Sequence, residues 1–173
     1  MGDVTYIDSQ RKEIVNTADS LSDVIHCLLI TLTDETILLP NAAVAEVISF
    51  INPEPLAGSP NWFLGQITWR ERLVPLISFE DASITASGEA QSTHQGNRIA
   101  ILNTLNGNAA VPYVGIVVQG IPRLSVIRSD GITTLESKPQ NRQSVSEIVD
   151  VEGQSLIIPD IDDLEKRLQN LHA

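Results

Sequence analysis

The sequence predicts an all-β fold, and two observations carry that prediction. Of the 173 residues, 42% are hydrophobic but only 4% are aromatic, so most apolar side chains are aliphatic and many are β-branched, as strands prefer. Short apolar runs alternate with turn residues along the chain, as in proteins built from many short strands. The length suits one domain or two small fused ones. We expect about ten strands and one helix at the C-terminal end.

The chain begins with a polar segment, residues 1–22, which we predict to be a flexible N-terminal tail. Ile7, Ile14, Ala18 and Leu21 fall near one face of a helix, so a short amphipathic helix is the alternative for this segment. The folded domain is expected to span residues 23–170.

Three strands are then predicted, at residues 24–32, 36–39 and 42–51. The third contains one carboxylate, Glu46, between apolar neighbours. Cys27, the only cysteine, lies in the first strand, and we expect a buried core thiol rather than a nucleophile. Three prolines and a Gly-Ser pair at residues 52–60 indicate a loop that leads to the next strands.

The most informative stretch is a predicted β-hairpin at residues 61–79. Two apolar runs, residues 64–69 and 73–79, flank a charged turn. The turn consists of Arg70, Glu71 and Arg72. A tight connection places such side chains where water or a partner reaches them. Pro75 has no N–H to donate, which predicts an edge strand or a bulge at that position.

Arg70 and Trp69 make the tip of this hairpin a candidate binding surface. The planar guanidinium of Arg70 suits bidentate contacts with carboxylates, although a solvated turn charge is the simpler interpretation. Trp69 is either a core residue or an interface anchor, because aromatic residues and Arg are enriched at binding hot spots. The residues alone therefore indicate a soluble all-β interaction module.

The second half of the chain follows a small, polar stretch at residues 80–96, which we predict to be a mobile loop. Five further strands are expected, at residues 98–105, 113–119, 121–127, 145–151 and 155–158. Asn106 and Gly107 predict a tight turn between the first two, because both residue types tolerate positive φ. Residues 129–142 are predicted to form a polar loop.

A helix at the C-terminal end has recognisable boundaries. Asp160 is the predicted N-cap, and Asp163, three residues later, resembles the acid of a capping box. Lys166 and Arg167 follow where cations favour the helix dipole. The apolar stripe that would dock the helix consists of Ile161, Leu164, Leu168 and Leu171.

Charge and composition exclude several functions. The formal net charge of -11 argues against binding to nucleic acid or to an anionic membrane surface, since both require basic patches. No apolar stretch reaches the ~20 residues of a membrane span, and the N-terminus has no apolar signal core. A single cysteine allows no intrachain disulfide. We therefore expect a cytoplasmic protein.

No enzyme or metal constellation emerges from the motifs. The sequence contains three histidines, His26, His94 and His172. None has a metal-ligand spacing to Cys27 or to another histidine, and no phosphate-binding glycine loop is present. The acidic run at residues 160–163 lacks the calcium-loop pattern, and helix capping explains it better. We expect no catalytic residue, metal or cofactor; the alternative is a hydrolase that uses Asp162, Asp163 and a histidine.

Four segments of the chain match motifs that occur in the same order in one protein family. Residues 65–76 read G-Q-I-T-W-R-E-R-L-V-P-L, close to the pattern G-x-x-N-L-R-G-x-x-x-P-hydrophobic. Residues 44–47 read V-A-E-V, close to V-x-E-V/I, and residues 114–121 read V-G-I-V-V-Q-G-I, close to V-G-I-V-V-D-x-V. Residues 152–164 resemble the closing motif. On these motifs the chain resembles the CheW family from about residue 24 to residue 168.

The resemblance implies two five-stranded SH3-like β-barrels packed together, with a short C-terminal helix. It implies a non-catalytic adaptor that couples methyl-accepting chemoreceptors to the regulatory domain of a CheA-type histidine kinase. Residues 39–41 and 69–72 look most like those of ChpC-type members, which serve type IV pilus chemosensory systems. The alternative function is a small-barrel interaction module with an unrelated regulatory role.

The resemblance also implies which residues bind partners. Three match positions implicated in contacts with receptor and kinase: Val44, Glu46 and Arg70. Three match positions near the receptor-binding groove between the barrels: Gly115, Ile121 and Leu124. The rest of the hairpin tip completes the predicted site: Trp69, Glu71 and Arg72.

Three residues depart from the family pattern. Glu71 replaces a glycine, so the turn either avoids positive φ there or is strained. Gln119 replaces an aspartate and removes a charge beside the groove, and Pro122 changes the start of the following strand. These departures predict that one of the two partner contacts differs from the family pattern.

Overall fold

The computed structural model describes residues 24–84, 96–107 and 109–171, and most of its regular structure is β-strand. The strands are β1 (Val24–Thr31), β2 (Thr36–Pro40), β3 (Val44–Ser49), β4 (Phe63–Trp69), β5 (Arg72–Ile77), β6 (Arg98–Asn103), β7 (Tyr113–Val118), β8 (Arg123–Arg128), β9 (Ile132–Ser137), β10 (Val145–Val151) and β11 (Gln154–Pro159). The helices are α1 (Phe79–Ser83) and α2 (Ile161–Leu171), with 3-10 turns at Asn41–Ala43 and Ser129–Gly131. The predicted N-terminal tail lies outside the described residues.

The strands of the described residues form two sheets. The six-stranded sheet has the order β8-β1-β2-β11-β10-β9, and the five-stranded sheet has the order β3-β6-β7-β5-β4. Neighbouring strands are antiparallel except for two pairs, β2 with β11 and β5 with β7, which are parallel. The predicted all-β fold with a C-terminal helix is confirmed.

The six-stranded sheet contains one strand more than predicted, because β9 lies in residues 129–142, where the sequence predicts a loop. β9 pairs only with β10, at the edge of the sheet, and five of its six residues are exposed. A strand that buries so little carries no apolar alternation by which to recognise it. The prediction of a loop was wrong there for that reason.

The two edge strands of the six-stranded sheet, β8 and β9, follow each other in the chain. They are joined only by the 3-10 turn Ser129–Gly131. A connection of this length spans at most ~14 Å. The outer strands of six flat, paired strands would lie about 24 Å apart at the usual interstrand spacing. The sheet must therefore curl until its edges approach, in the manner that the barrel expectation requires.

The predicted loop at residues 80–96 begins later than expected. Its first residues belong to α1, which is capped by the Ser78 Oγ accepting a hydrogen bond of 3.3 Å from the Asp81 backbone N–H. Ile84 then makes an isolated bridge with Arg142. Residues 85–95, the centre of the predicted mobile loop, lie outside the described residues.

Three apolar clusters fill the fold. The largest lies between the two sheets and beneath both helices, and includes Ile30, Ile37, Phe79, Ile116 and Leu164. The second belongs to the six-stranded sheet, and includes Cys27, Leu29, Ile127 and Val149. The third belongs to the five-stranded sheet, and includes Ile67, Trp69, Leu76 and Ile99. Each sheet thus has its own interior, and a shared core joins them.

Helix α2 begins as predicted but uses its arginine differently. The Asp163 backbone N–H donates to the Asp160 carboxylate at 2.9 Å, which confirms the N-cap. Arg167 was expected to favour the helix dipole, but no basic residue lies in the last turn of α2. Its guanidinium instead donates to the Ala82 carbonyl and to the Ser144 hydroxyl, both at 2.7 Å. Arg167 therefore ties α2 to α1 and to the loop before β10.

Candidate partner-binding site

The tip of the hairpin is a two-residue turn rather than the predicted three-residue one. β4 and β5 pair as far as Trp69 and Arg72, which leaves Arg70 and Glu71 between them. Both turn residues have positive φ, 47° and 61°, as a type I′ turn requires. Glu71 thus adopts a conformation that favours glycine, so of the two alternatives for this turn the strained one is observed.

β5 is an internal strand, so the edge strand that Pro75 predicted is wrong. Its neighbours in the sheet are β4 and β7. β5 pairs with β7 only at Leu76 and Ile77. Pro75 comes just before this part of β5, so the pairing with β7 needs no N–H from it. The irregularity of this hairpin lies in β4, where the register shifts between Phe63 and Gly65.

Three of the predicted site residues form one contact cluster, which we call the Glu46 cluster: Glu46, Trp69 and Arg70. The Trp69 indole Nε1–H and the Arg70 Nη2–H both donate to Oε2 of Glu46, each at 3.0 Å. The Arg70 Cζ lies 4.7 Å from the centre of the Trp69 ring. Because β3 and β4 are the two edges of the five-stranded sheet, the cluster links these edges.

Burial separates the roles of the three side chains. Trp69 is only 7% exposed and makes an edge-on contact with the Tyr113 ring at 4.9 Å, so it is a core residue. The carboxylate of Glu46 supplies the acceptor that the buried indole N–H of Trp69 needs. The Arg70 side chain is 69% exposed, and the carboxylate and the ring hold its guanidinium in place. Arg70 is therefore an oriented cation with further N–H donors facing solvent, rather than a loose turn charge.

Val44 and Gly115 belong to the same five-stranded sheet as the hairpin, but Val44 is only partly exposed and Gly115 is buried. Val44 is half-buried at the start of β3 and packs against the shared core. Gly115 is buried in β7, where an added Cβ would lie 3.1 Å from the Leu76 Cδ1 and 3.2 Å from the Ile99 Cγ2. A glycine is needed there for close packing, and any effect of Gly115 on a partner is indirect. Arg72, in contrast, is exposed at the start of β5.

A second surface runs along β8, and we call it the apolar strip: Ile121, Leu124 and Val126. These side chains are 79%, 59% and 58% exposed. Leu124 lies opposite Leu28 of β1, and Val126 lies opposite His26. Leu28 packs against the shared core, so the strip continues that core onto the surface. Val126 was not among the predicted residues, although its spacing of two from Leu124 placed it on the same face.

Gln119, one of the departures from the family pattern, links the two sheets. Its backbone N–H donates to the Thr31 carbonyl at 3.0 Å, and its side-chain amide donates to the Thr33 hydroxyl at 3.3 Å. These bonds join the end of β7 to the end of β1. The glutamine that replaces the aspartate of the family pattern therefore has a structural role.

Sequence reasoning missed a polar junction on the side of α1. Arg142 donates to both carboxylate oxygens of Glu35, at 2.5 and 2.8 Å, and to the Ser83 hydroxyl at 2.6 Å. These residues are 107 and 59 positions from Arg142 in the chain. No local pattern indicates contacts between such distant residues.

The hydrolase alternative gains no support from the placement of its carboxylates. Asp162 accepts a hydrogen bond from the Asn106 amide at 2.9 Å, and Asp163 accepts one from the Ser144 hydroxyl at 2.6 Å. His94 and His172 lie outside the described residues. Among the residues that the structure describes, no group of three or more His, Cys, Asp or Glu side chains is arranged to hold a metal ion.

Two properties of the described chain bear on reactivity and membrane contact. Cys27 is 3% exposed, and burial raises the pKa of its thiol, as the core interpretation predicts. No helix in the described ranges has the length and apolar character needed to cross a bilayer.

Comparison with known proteins identifies related domains. The family model of the CheW-like domain matches residues 26–169. Among solved structures, the scaffolding protein TtCheW from Thermoanaerobacter tengcongensis matches with a TM-score of 0.60 and 20% sequence identity, covering 78% of this chain and 88% of that one. At that identity the match shows a common fold. No curated protein matches the chain.

Proposed function

The chain belongs to the CheW family, and from this premise we propose that it is a non-catalytic adaptor that couples chemoreceptors to a CheA-type histidine kinase. The observation that carries the proposal is the Glu46 cluster. It orients Arg70, the arginine of the family motif, at an exposed hairpin tip. An oriented guanidinium suits recognition of a carboxylate on a partner protein.

Two separate surfaces suit a protein that holds two partners. The hairpin tip belongs to the five-stranded sheet, and the apolar strip belongs to the edge of the six-stranded sheet. We assign the strip to the apolar face of a receptor helix, since helical segments dock by such faces in apolar grooves. Arg70 and Glu46 would then determine orientation and partner choice more than affinity.

The setting of this function follows from its partners. A kinase regulatory domain and the signalling tip of a chemoreceptor are both cytoplasmic, so the proposal places the chain in the cytoplasm. We further propose that it serves a chemosensory system of the type IV pilus kind, on the ChpC-like residues 39–41 and 69–72.

Titration calorimetry with purified proteins tests the role of Arg70. The partners are the regulatory domain of a CheA-type kinase and a receptor-tip fragment, both from the genome that encodes this chain. Arg70→Glu should weaken binding of at least one partner tenfold or more, because it reverses the charge and loses the Glu46 pair. Arg98→Glu makes the same charge change in β6 of the same sheet and should leave both affinities unchanged. If wild type binds neither partner, the small-barrel module with an unrelated role replaces this proposal.

A further inference from the structure

We propose that residues 1–23 of this chain bind back onto the apolar strip of β8 and thereby compete with the partner of that surface. The strip is the most exposed group of large apolar side chains in β8 and the loop before it. Ile121, Leu124 and Val126 each expose more than half of their surface. Apolar surface of this kind is stabilised when a segment covers it.

The described part of the chain begins beside the strip. Val24, the first described residue, lies opposite Arg128, the last residue of β8. If the chain turned back just before Val24, residues 1–23 would lie along β8. The residues next to Val24 would then be near Val126, and earlier residues would be near Ile121. From this starting point, residues 1–23 would reach the strip without crossing the rest of the molecule.

The sequence of the segment matches the strip in length and pattern. Ile7, Ile14, Ala18 and Leu21 fall within about 60° of one another at the angular period of a helix. As an α-helix, residues 7–21 would span about 21 Å. Residues 121–126 of the strip span about 17 Å as extended chain. One apolar face is thus long enough to cover the whole strip.

The charges of the two elements are also complementary. Residues 1–23 contain five acids, Asp3, Asp8, Glu13, Asp19 and Asp23, against two bases, Arg11 and Lys12. The strip is bordered by two exposed arginines, Arg123 and Arg128. Arg128 also pairs with both carboxylate oxygens of Asp130, at 3.0 and 3.4 Å, so the exposed Arg123 is the main cation offered to the acidic segment. Attraction between opposite charges therefore adds to the apolar contact in a chain that is acidic overall.

Competition follows if the proposed function is correct. A partner that binds only the uncovered strip has its apparent affinity reduced by the fraction of molecules in which the strip is free. The competition step rests on the proposed function, whereas the intramolecular contact does not.

Paramagnetic relaxation in the full chain tests the contact without any partner. A spin label on the thiol introduced by Ser20→Cys reports the position of the segment, and the buried Cys27 stays unlabelled in the folded state. We expect broadening of the amide signals of Leu124 and Val126. Ile14→Asp and Leu124→Asp should each abolish this broadening.

Matched controls make the result specific. Val15→Asp adds the same charge next to Ile14 but about 100° away on the helical period, and should preserve the broadening. Leu135→Asp changes a residue of β9 that is 57% exposed, close to the 59% of Leu124, and should preserve it too. Unbroadened β8 signals, or broadening that survives Ile14→Asp, would overturn the proposal. Broadening in a mixture of spin-labelled and isotope-labelled chains would assign the strip to a second copy and also overturn it.

The regulatory consequence has its own measurement. Ile14→Asp should raise the affinity for the receptor-tip fragment by about threefold or more, through release of the covered fraction. Val15→Asp should leave that affinity unchanged. Equal affinities for wild type and Ile14→Asp would remove the competition. If neither chain binds the fragment, the proposed function fails, and the relaxation measurement still decides whether the segment covers the strip.

Discussion

At the scale of single residues, Glu46 has two separable tasks. One carboxylate oxygen satisfies the buried indole of Trp69 and also holds the exposed guanidinium of Arg70. The first bond concerns stability, because a buried N–H without an acceptor is costly. The second is a half-exposed ion pair that contributes little to stability; under the proposed function it orients Arg70 for a partner.

Two substitutions of Glu46 distinguish these tasks. Glu46→Gln keeps an oxygen for Trp69 but loses the charge that holds Arg70, so we expect a loss of at most ~1 kcal/mol in the free energy of unfolding. Glu46→Ala leaves the indole without its acceptor, and we expect a loss of about 1–3 kcal/mol. Urea unfolding measures both, with Arg70→Leu as the variant that removes only the ion pair. Equal losses for Gln and Ala would show that the indole bond does not stabilise the fold.

At the scale of elements, the β4–β5 hairpin stores strain in its turn. A left-handed conformation costs an ordinary residue roughly 1–2 kcal/mol, and Arg70 and Glu71 both adopt positive φ. Pairing of the flanking strands and the Glu46 cluster hold the turn in this conformation. The hairpin thus presents Arg70 at the expense of local strain, which is common where backbone geometry serves binding.

Replacing Glu71 by glycine should relieve part of this strain. Glu71→Gly removes the steric penalty at φ of 61°, partly offset by the greater freedom of glycine in the unfolded chain. The expected gain in the free energy of unfolding is about 0.5–1 kcal/mol, the left-handed penalty less the entropy that glycine adds to the unfolded chain. Glu71→Ala removes the charge but keeps the strain, so it should give no gain in the same thermal or urea titration. A gain with Ala as large as that with Gly would attribute the effect to charge instead.

The elements that the sequence predicted are those whose residues face a core. β1, β4, β7 and α2 alternate or repeat in apolar residues, and the cap of α2 is local in sequence, so patterns sufficed. β9 and α1 were missed because the first is exposed on both faces and the second is a single short turn of helix. Of the site, the motif indicated Glu46 and Arg70. Their contact was not predictable from periodicity, because it joins residues 24 positions apart across two sheet edges.

At the scale of the whole molecule, the two sheets behave as one body because their largest core is shared. Residues from both sheets and from α2 pack in that cluster, with Leu164 fully buried. Arg142 and Arg167 add polar links to α1 on the same side. Under the proposed function, the shared core would fix the angle between partners bound to the two sheets.

The shared core predicts that both sheets unfold in a single transition. With the second tryptophan removed by Trp62→Phe in every variant, the fluorescence of Trp69 reports on the five-stranded sheet. Labelling of Cys27 reports on the six-stranded sheet, because that thiol is buried in the folded state. In urea the two probes should give the same midpoint. Leu164→Ala should lower the free energy of unfolding by about 2–4 kcal/mol and shift both midpoints to the same lower urea concentration.

The exposed Leu135→Ala is the control for this measurement and should change stability by less than about 0.5 kcal/mol. The titration belongs near pH 7. Because burial raises the pKa of the Cys27 thiol, the unfolded chain loses that proton first as pH rises, and stability falls above about pH 8.5. Two separate midpoints would mean that the two sheets unfold independently. The hairpin tip and the apolar strip would then have no fixed relative geometry by which the proposed adaptor could couple a receptor to a kinase.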